Sequence, residues 1–334
     1  MAAGLVAVAL SAAACGTSSS GSADGGKPTL TLYNAQHDFV KTMAADFTKR
    51  TGIKVQVRDG EDFELANQLV QEGGSSPADV FVTENSPAMS LVDSKGLFAK
   101  VDGATLAQVP DNFEPSDKDW TGFAARSTVL AYNTKTVKPA DVPASLLDLA
   151  QPKWKGKVGI SPAGADFQAI VSAVLATKGE AATAAWLKGL KANANPYQGN
   201  TAVMKAVDAG QIQVGVIYHY YWYKDRAEAG ANTKNTALHY FTNADPGGFV
   251  SISGAGVLAS SKHQAEAQQF VKYLTSPEGQ KILAGSGAME YAIANNAPND
   301  PALKPLSELK PPTVDPATLN GPKVVQLMQQ AGLL

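Results

Sequence analysis

The chain has 334 residues, 44% of them hydrophobic, and a formal net charge of −2. That is ample for a packed core and points to two domains. The balanced charge excludes nucleic acid or an anionic membrane surface as an electrostatic partner, and a single cysteine excludes an internal disulfide.

Residues 1–14 are almost entirely Ala, Val, Leu and Gly, an apolar leader too short to cross a membrane as a helix, and they read as a secretory signal. Cys15 stands where the small residues stop and a Gly/Ser tract begins. This resembles a bacterial lipoprotein signal. The resemblance implies a lipidated Cys15 and a flexible tether over residues 15–28, and so a protein outside the cytoplasmic membrane and anchored to it.

The first strand falls at Leu30–Tyr33. Phe39, Met43 and Phe47 then recur every four residues, one apolar face of a helix over Asp38–Arg50 that Gly52 closes. A second strand (Ile53–Val57), a helix (Glu61–Glu72) and a third strand (Ala78–Val82) follow. Ser86 and Pro87 read as N-cap and first residue of another helix. This alternation means a parallel sheet wound with helices. If the first strand lies between the second and third, His37 and Glu84, which follow strands one and three, share a crevice.

A second α/β unit has strands at Arg126–Tyr132 and Trp154–Ile160, and helices at Phe167–Ala176, Ala181–Leu190 and Asn200–Ala209. The strand Ile212–Ile217 leads into the densest polar-aromatic stretch of the chain, Tyr218-His-Tyr-Tyr-Trp-Tyr223. Ligands of α/β folds sit where strands end, so these phenols and the imidazole are offered to a crevice. Any one of them is more often a packing residue. A strand at Ser251–Leu258 and helices at Ala265–Leu274, from Ser276, and at Pro322–Ala331 complete the pattern.

Three segments taken together, Tyr33-Asn-Ala-Gln-His37, Ser76-Pro-Ala-Asp-Val-Phe-Val-Thr-Glu84 and Ile217-Tyr-His-Tyr-Tyr-Trp222, resemble those of the bacterial ferric-ion-binding proteins, substrate-binding proteins of ABC importers. The resemblance implies a type 2 periplasmic-binding-protein fold: α/β, two lobes, each a mixed sheet flanked by helices, with the cleft between them. The lobes are expected at residues 29–125 plus 251–300 and at 126–250 plus 301–334. By matched position, His37, Glu84, Tyr220 and Tyr221 are the Fe³⁺ ligands. Arg126, Gly164, Ala165, Asp166, Asn200 and Tyr218 match the groups around a synergistic anion such as carbonate or phosphate. The implied partners are an ABC permease and its ATPase, with the chain itself a monomer and not an enzyme.

The chemistry agrees with this assignment, since a small, hard trivalent cation prefers oxygen donors, and phenols can bind it as phenolates at neutral pH. Two phenolates and Glu84 neutralise Fe³⁺. Asp166 and an exogenous anion would then not both bind, and of the two the anion, held by Arg126 and Asn200, is preferred. The same importer class with another cargo (a polyamine, thiamine, a phosphonate or another oxyanion) is the alternative. A hydrolase using Glu84 and His37 lacks any nucleophile motif.

Overall fold

The computed structural model describes residues 27–334. The leader, Cys15 and the tether up to residue 26 lie outside the described residues. The chain opens as β1 (Thr29–Asn34), α1 (Phe39–Thr51), β2 (Lys54–Asp59), α2 (Asp62–Glu72), β3 (Val80–Val82), α3 (Ser86–Asp93) and a short α4 (Gly103–Leu106). Next come β4 (Thr121–Asn133), β5 (Val158–Ile160), α5 (Ala165–Asn193), β6 (Ala194–Pro196), α6 (Asn200–Asp208), β7 (Val214–Tyr218), α7 (His219–Glu228) and β8 (Thr236–His239). The chain closes with β9 (Val250–Val257), α8 (Gln264–Leu274), α9 (Pro277–Gly285), β10 (Tyr291–Ala292) and α10 (Gly321–Gln330). None of the described helices is long and apolar enough to cross a membrane.

The strands run in the order β2-β1-β3-β9-β4-β7-β5-β6, with β8 and β10 added to β4. As expected, β1 lies between β2 and β3, and both pairings are parallel. The carboxyl ends of β1 and β3 therefore open side by side. Strand β9 is antiparallel to β3 and β4 and sets Ser251 opposite Arg126. Strand β4 has 13 residues, all buried. Its first half pairs with β9 and β10, and its second half with β7 and β8. The two-lobed architecture is built on this one strand.

Each half has its own apolar core. Leu32, Phe47, Val80 and Phe270 lie on one face of the first sheet, and Tyr33, Leu65, Phe81 and Trp120 on the other. Leu146, Phe167, Trp186, Val216 and Leu327 fill the second. The periodicity of α1 holds, with Phe39, Met43 and Phe47 buried and Gly52 closing the helix at φ 76°.

Several expectations need correction. The strand at Trp154–Ile160 shrinks to Val158–Ile160, because Pro152–Trp154 forms a 3₁₀ turn. The strand at Arg126–Tyr132 begins five residues earlier, since the whole segment is enclosed by neighbours on both sides. The helices expected at Phe167–Ala176 and Ala181–Leu190 are both present as the two arms of α5, which breaks between them at Gly179, where φ 79° and ψ 172° are not helical. The N-cap of α3 is Asn85, and Ser86 instead donates its hydroxyl to the Ile252 carbonyl at 2.8 Å.

Gly122 sits on β4 beside a register shift in the β4–β9 ladder. A Cβ there would lie 2.5 Å from the Phe113 carbonyl oxygen and 2.6 Å from Ile252 Cγ2. Backbone cannot yield as a side-chain tip can. Gly122→Ala is therefore expected to destabilise by about 1–3 kcal/mol, read as a lower urea midpoint at unchanged slope.

Candidate metal centre

His37 follows β1 on a short loop. Its backbone N–H donates to Gln36 Oε1 at 2.8 Å, and its side chain remains 44% exposed. Glu84 follows β3. The buried Asp62, first residue of α2, accepts the Glu84 and Asn85 backbone N–H groups at 2.8 and 3.0 Å and fixes that turn. Tyr220 and Tyr221 lie in the first turn of α7, directly after the wholly buried β7. His219 anchors this turn: its Nδ1 accepts the Ser127 N–H at 3.1 Å, and its ring stacks on Tyr291 at 4.6 Å. Burial pushes His219 down to about 3, which makes it a neutral structural group.

The structure brings all four expected ligands to one cleft of ≈ 1040 Å³. Glu84 Oε1 is the node. It accepts from the Tyr220 hydroxyl at 3.0 Å and lies 3.5 Å from His37 Nε2. The Tyr220 and Tyr221 rings stack at 4.1 Å. The Tyr221 hydroxyl in turn donates to Asp166 Oδ2 at 3.1 Å. An octahedron with ~2.0–2.1 Å bonds to oxygen has neighbouring donors ~2.8–3.0 Å apart. The Tyr220–Glu84 contact already has that spacing, and the Tyr221–Asp166 contact, at 3.1 Å, lies just beyond it.

Burial alone would raise Glu84, but the Arg126 charge, the His37 hydrogen bond and the Tyr220 hydroxyl outweigh it and hold the carboxyl down at about 2. Burial lowers His37, and the Glu84 hydrogen bond with the charges of Glu290 and Glu84 more than reverses this, so its imidazole is raised above its ordinary value. Asp166 goes up to about 7, through burial and then the charge of Glu84. Both phenols are raised by burial and by the charges of Asp166 and Glu84. The centre thus holds protons that an entering cation would displace.

The residues matched to anion binding are placed less uniformly. Arg126 is wholly buried, donating from Nη2 to Glu290 Oε2 at 2.6 Å and from Nη1 to the Glu84 carbonyl. Asn200 Nδ2 donates to Asp166 Oδ2 at 2.7 Å. Tyr218 is buried behind the pair, and its hydroxyl donates to Asn85 Oδ1 at 3.3 Å. Gly164 caps α5 and Ala165 opens it, and Ala165 lines a separate cavity of ≈ 520 Å³.

Sequence reasoning missed Gln36, Asp62, Asn85 and Glu290. Gln36 and Asn85 each adjoin a ligand and were in reach of a search for neighbours of the donors. Glu290 was not, because it follows a Gly-Ser-Gly-Ala-Met run with no pattern of burial.

The profile of the bacterial extracellular solute-binding protein family matches residues 75–317. The Fe(3+)-binding periplasmic protein of Serratia marcescens is 58% identical over 306 residues, covering 91% of this chain and 90% of that protein. The major ferric iron-binding protein of Neisseria meningitidis is 36% identical, covering 91% and 93%. The structure of iron-bound HitA from Pseudomonas aeruginosa superposes with a TM-score of 0.84 at 44% identity, over 91% of this chain and 99% of that one. These relatives are binding proteins, not enzymes. With a profile match over most of its length and these identities, the chain belongs to the bacterial extracellular solute-binding protein family, among relatives that bind ferric iron.

Proposed function

We propose that this protein captures Fe³⁺ outside the cytoplasmic membrane and delivers it to an ABC permease and its ATPase, acting as a monomer tethered through a lipid on Cys15. The carrying observation is the contact chain His37–Glu84–Tyr220–Tyr221–Asp166, four hard oxygen donors and one imidazole with no sulfur among them. The ferric-binding names of its relatives support the same cargo. In this reading residues 29–125 plus 251–300 form one lobe and 126–250 plus 301–334 the other. His37 and Glu84 then face the tyrosines and Asp166 across the cleft, and closure turns on β4 and β9 near Arg126 and Ser251.

The fifth donor is assigned to Asp166 rather than to an exogenous anion, against the preference drawn from charge counting. Arg126 is wholly buried and its two terminal nitrogens bond the Glu84 carbonyl and Glu290, which leaves only Nε without a partner among the described residues. Asp166 Oδ2 already touches the Tyr221 hydroxyl. With carbonate and phosphate stripped from the buffer, wild type is expected to keep full iron affinity, and Asp166→Ala to lose at least about tenfold. Affinity that rises when either anion is restored, and is blunted in Arg126→Ala, would return the position to an anion.

Phenolate ligation gives a visible charge-transfer band. Tyr220→Phe and Tyr221→Phe each remove one donor oxygen and keep the ring, so each is expected to shift or weaken the band and lower affinity. Unchanged colour in both variants would place the metal elsewhere.

Binding requires a neutral His37, two phenolates and an ionised Asp166. In the metal-free protein all four hold their protons to higher pH than usual, while Glu84 stays ionised. Protons therefore compete more strongly as pH falls through neutrality. Log affinity, corrected for protonation of a competing chelator, is expected to fall by at least about two units per pH unit between pH ~8 and ~6. A flat profile would contradict ligation by these groups.

A further inference from the structure

Glu290 makes no part of the donor set, yet its side chain is wholly buried against it. We propose that Glu290 is the positioning residue of the metal centre, holding Glu84 and His37 in place through two hydrogen-bonded arms. The proposal rests on the reading of those two residues as ferric donors. The first arm runs from Glu290 Oε2 to Arg126 Nη2 at 2.6 Å, and from Arg126 Nη1 to the Glu84 carbonyl. The second runs from the same oxygen to Gln36 Nε2 at 3.3 Å, and Gln36 Oε1 accepts the His37 backbone N–H at 2.8 Å. Ser253 braces the two, accepting from Gln36 Nε2 at 2.7 Å and donating to the Glu84 carbonyl at 3.2 Å.

Two further observations fit a device built for this task. Strand β10 pairs Tyr291 with Ala125, so the ladder extended by one residue sets Glu290 opposite Arg126. Met289, just before it, sits at φ 59°, a backbone region that a side chain enters only when its surroundings hold it there. The second carboxylate oxygen, Oε1, has no hydrogen-bond partner among the described residues and lies 3.7 Å from His37 Nε2. A neutral side chain would remove the bonded carboxylate of Arg126 and leave its charge to Glu84, 3.7 Å from Nε and itself a donor to the incoming metal. Glu290 therefore relieves Glu84 of that charge as well as fixing geometry.

The test uses the full chain with iron and a competing chelator, reading affinity and the charge-transfer band together. Glu290→Gln is expected to weaken iron binding ~10–100-fold and to shift the band, the range seen when partners of metal ligands are removed. Gln36→Ala, which leaves no buried charge exposed, is expected to weaken it several-fold, and that loss should vanish in a His37→Ala background. Wild-type affinity and colour in both variants, with His37→Ala and Glu84→Ala impaired, would overturn the role of Glu290 and leave the donors standing. Full affinity in His37→Ala and Glu84→Ala would instead sink the donor assignment and the proposal with it. If Glu290→Gln does not fold, Gln36→Ala decides: unchanged affinity overturns the proposal.

Discussion

The centre is governed by an excess of acidic groups around one buried guanidinium. Asp62, Asp166 and Glu290 are all buried, and each is raised in part by the charge of Glu84. Arg126 is the counter-charge common to all four. In a low-dielectric interior such a cluster is stable only while part of it is protonated or paired. The elevated phenols and Asp166 supply the protons, and the Arg126–Glu290 bond supplies the pairing. A hard trivalent cation can replace those protons by bonding the oxygens directly, whereas an organic ammonium only donates hydrogen bonds to them. The electrostatics thus narrow the cargo more sharply than the shape of the cleft.

This arrangement depends on β4. Arg126 lies where the strand passes from its pairing with β9 to its pairing with β7, so the guanidinium is held where the two sheets meet. Tyr218 and His219 dock on the same region, against Asn85 and Ser127. The carboxylates, the phenols and their counter-charge are therefore all referred to this one crossing point on β4.

The proposed donors His37, Glu84, Tyr220 and Tyr221 were legible because each follows a strand with a strong apolar pattern: Leu30–Tyr33, Val80–Val82 and Val214–Tyr218. Their alternation with helices implied a parallel sheet, while the order of the first three strands was an assumption that the pairing of β1 with β2 and β3 agrees with. The surroundings of the donors were not legible. Whether Arg126 faces an anion or a carboxylate depends on Glu290, 164 residues further on, delivered by a two-residue strand with no periodicity of its own. Strands β6 and β8 were missed for the same reason, being short and only partly buried. The two helices expected at Phe167–Ala176 and Ala181–Leu190 are the two arms of α5, and the left-handed backbone of Gly179 makes the break between them.

The insertion of β9 between β3 and β4 also bears on how the chain reaches this structure. Val80 pairs with Val257, and Thr121 with Ala255. The amino-terminal sheet thus stays open along β3 until most of the polypeptide has been made. Contacts of such wide sequence separation carry a large loop-closure entropy and fold slowly. A nascent chain ending before residue 250 presents an unpaired apolar edge, the kind of surface that chaperones bind and that aggregates when left uncovered.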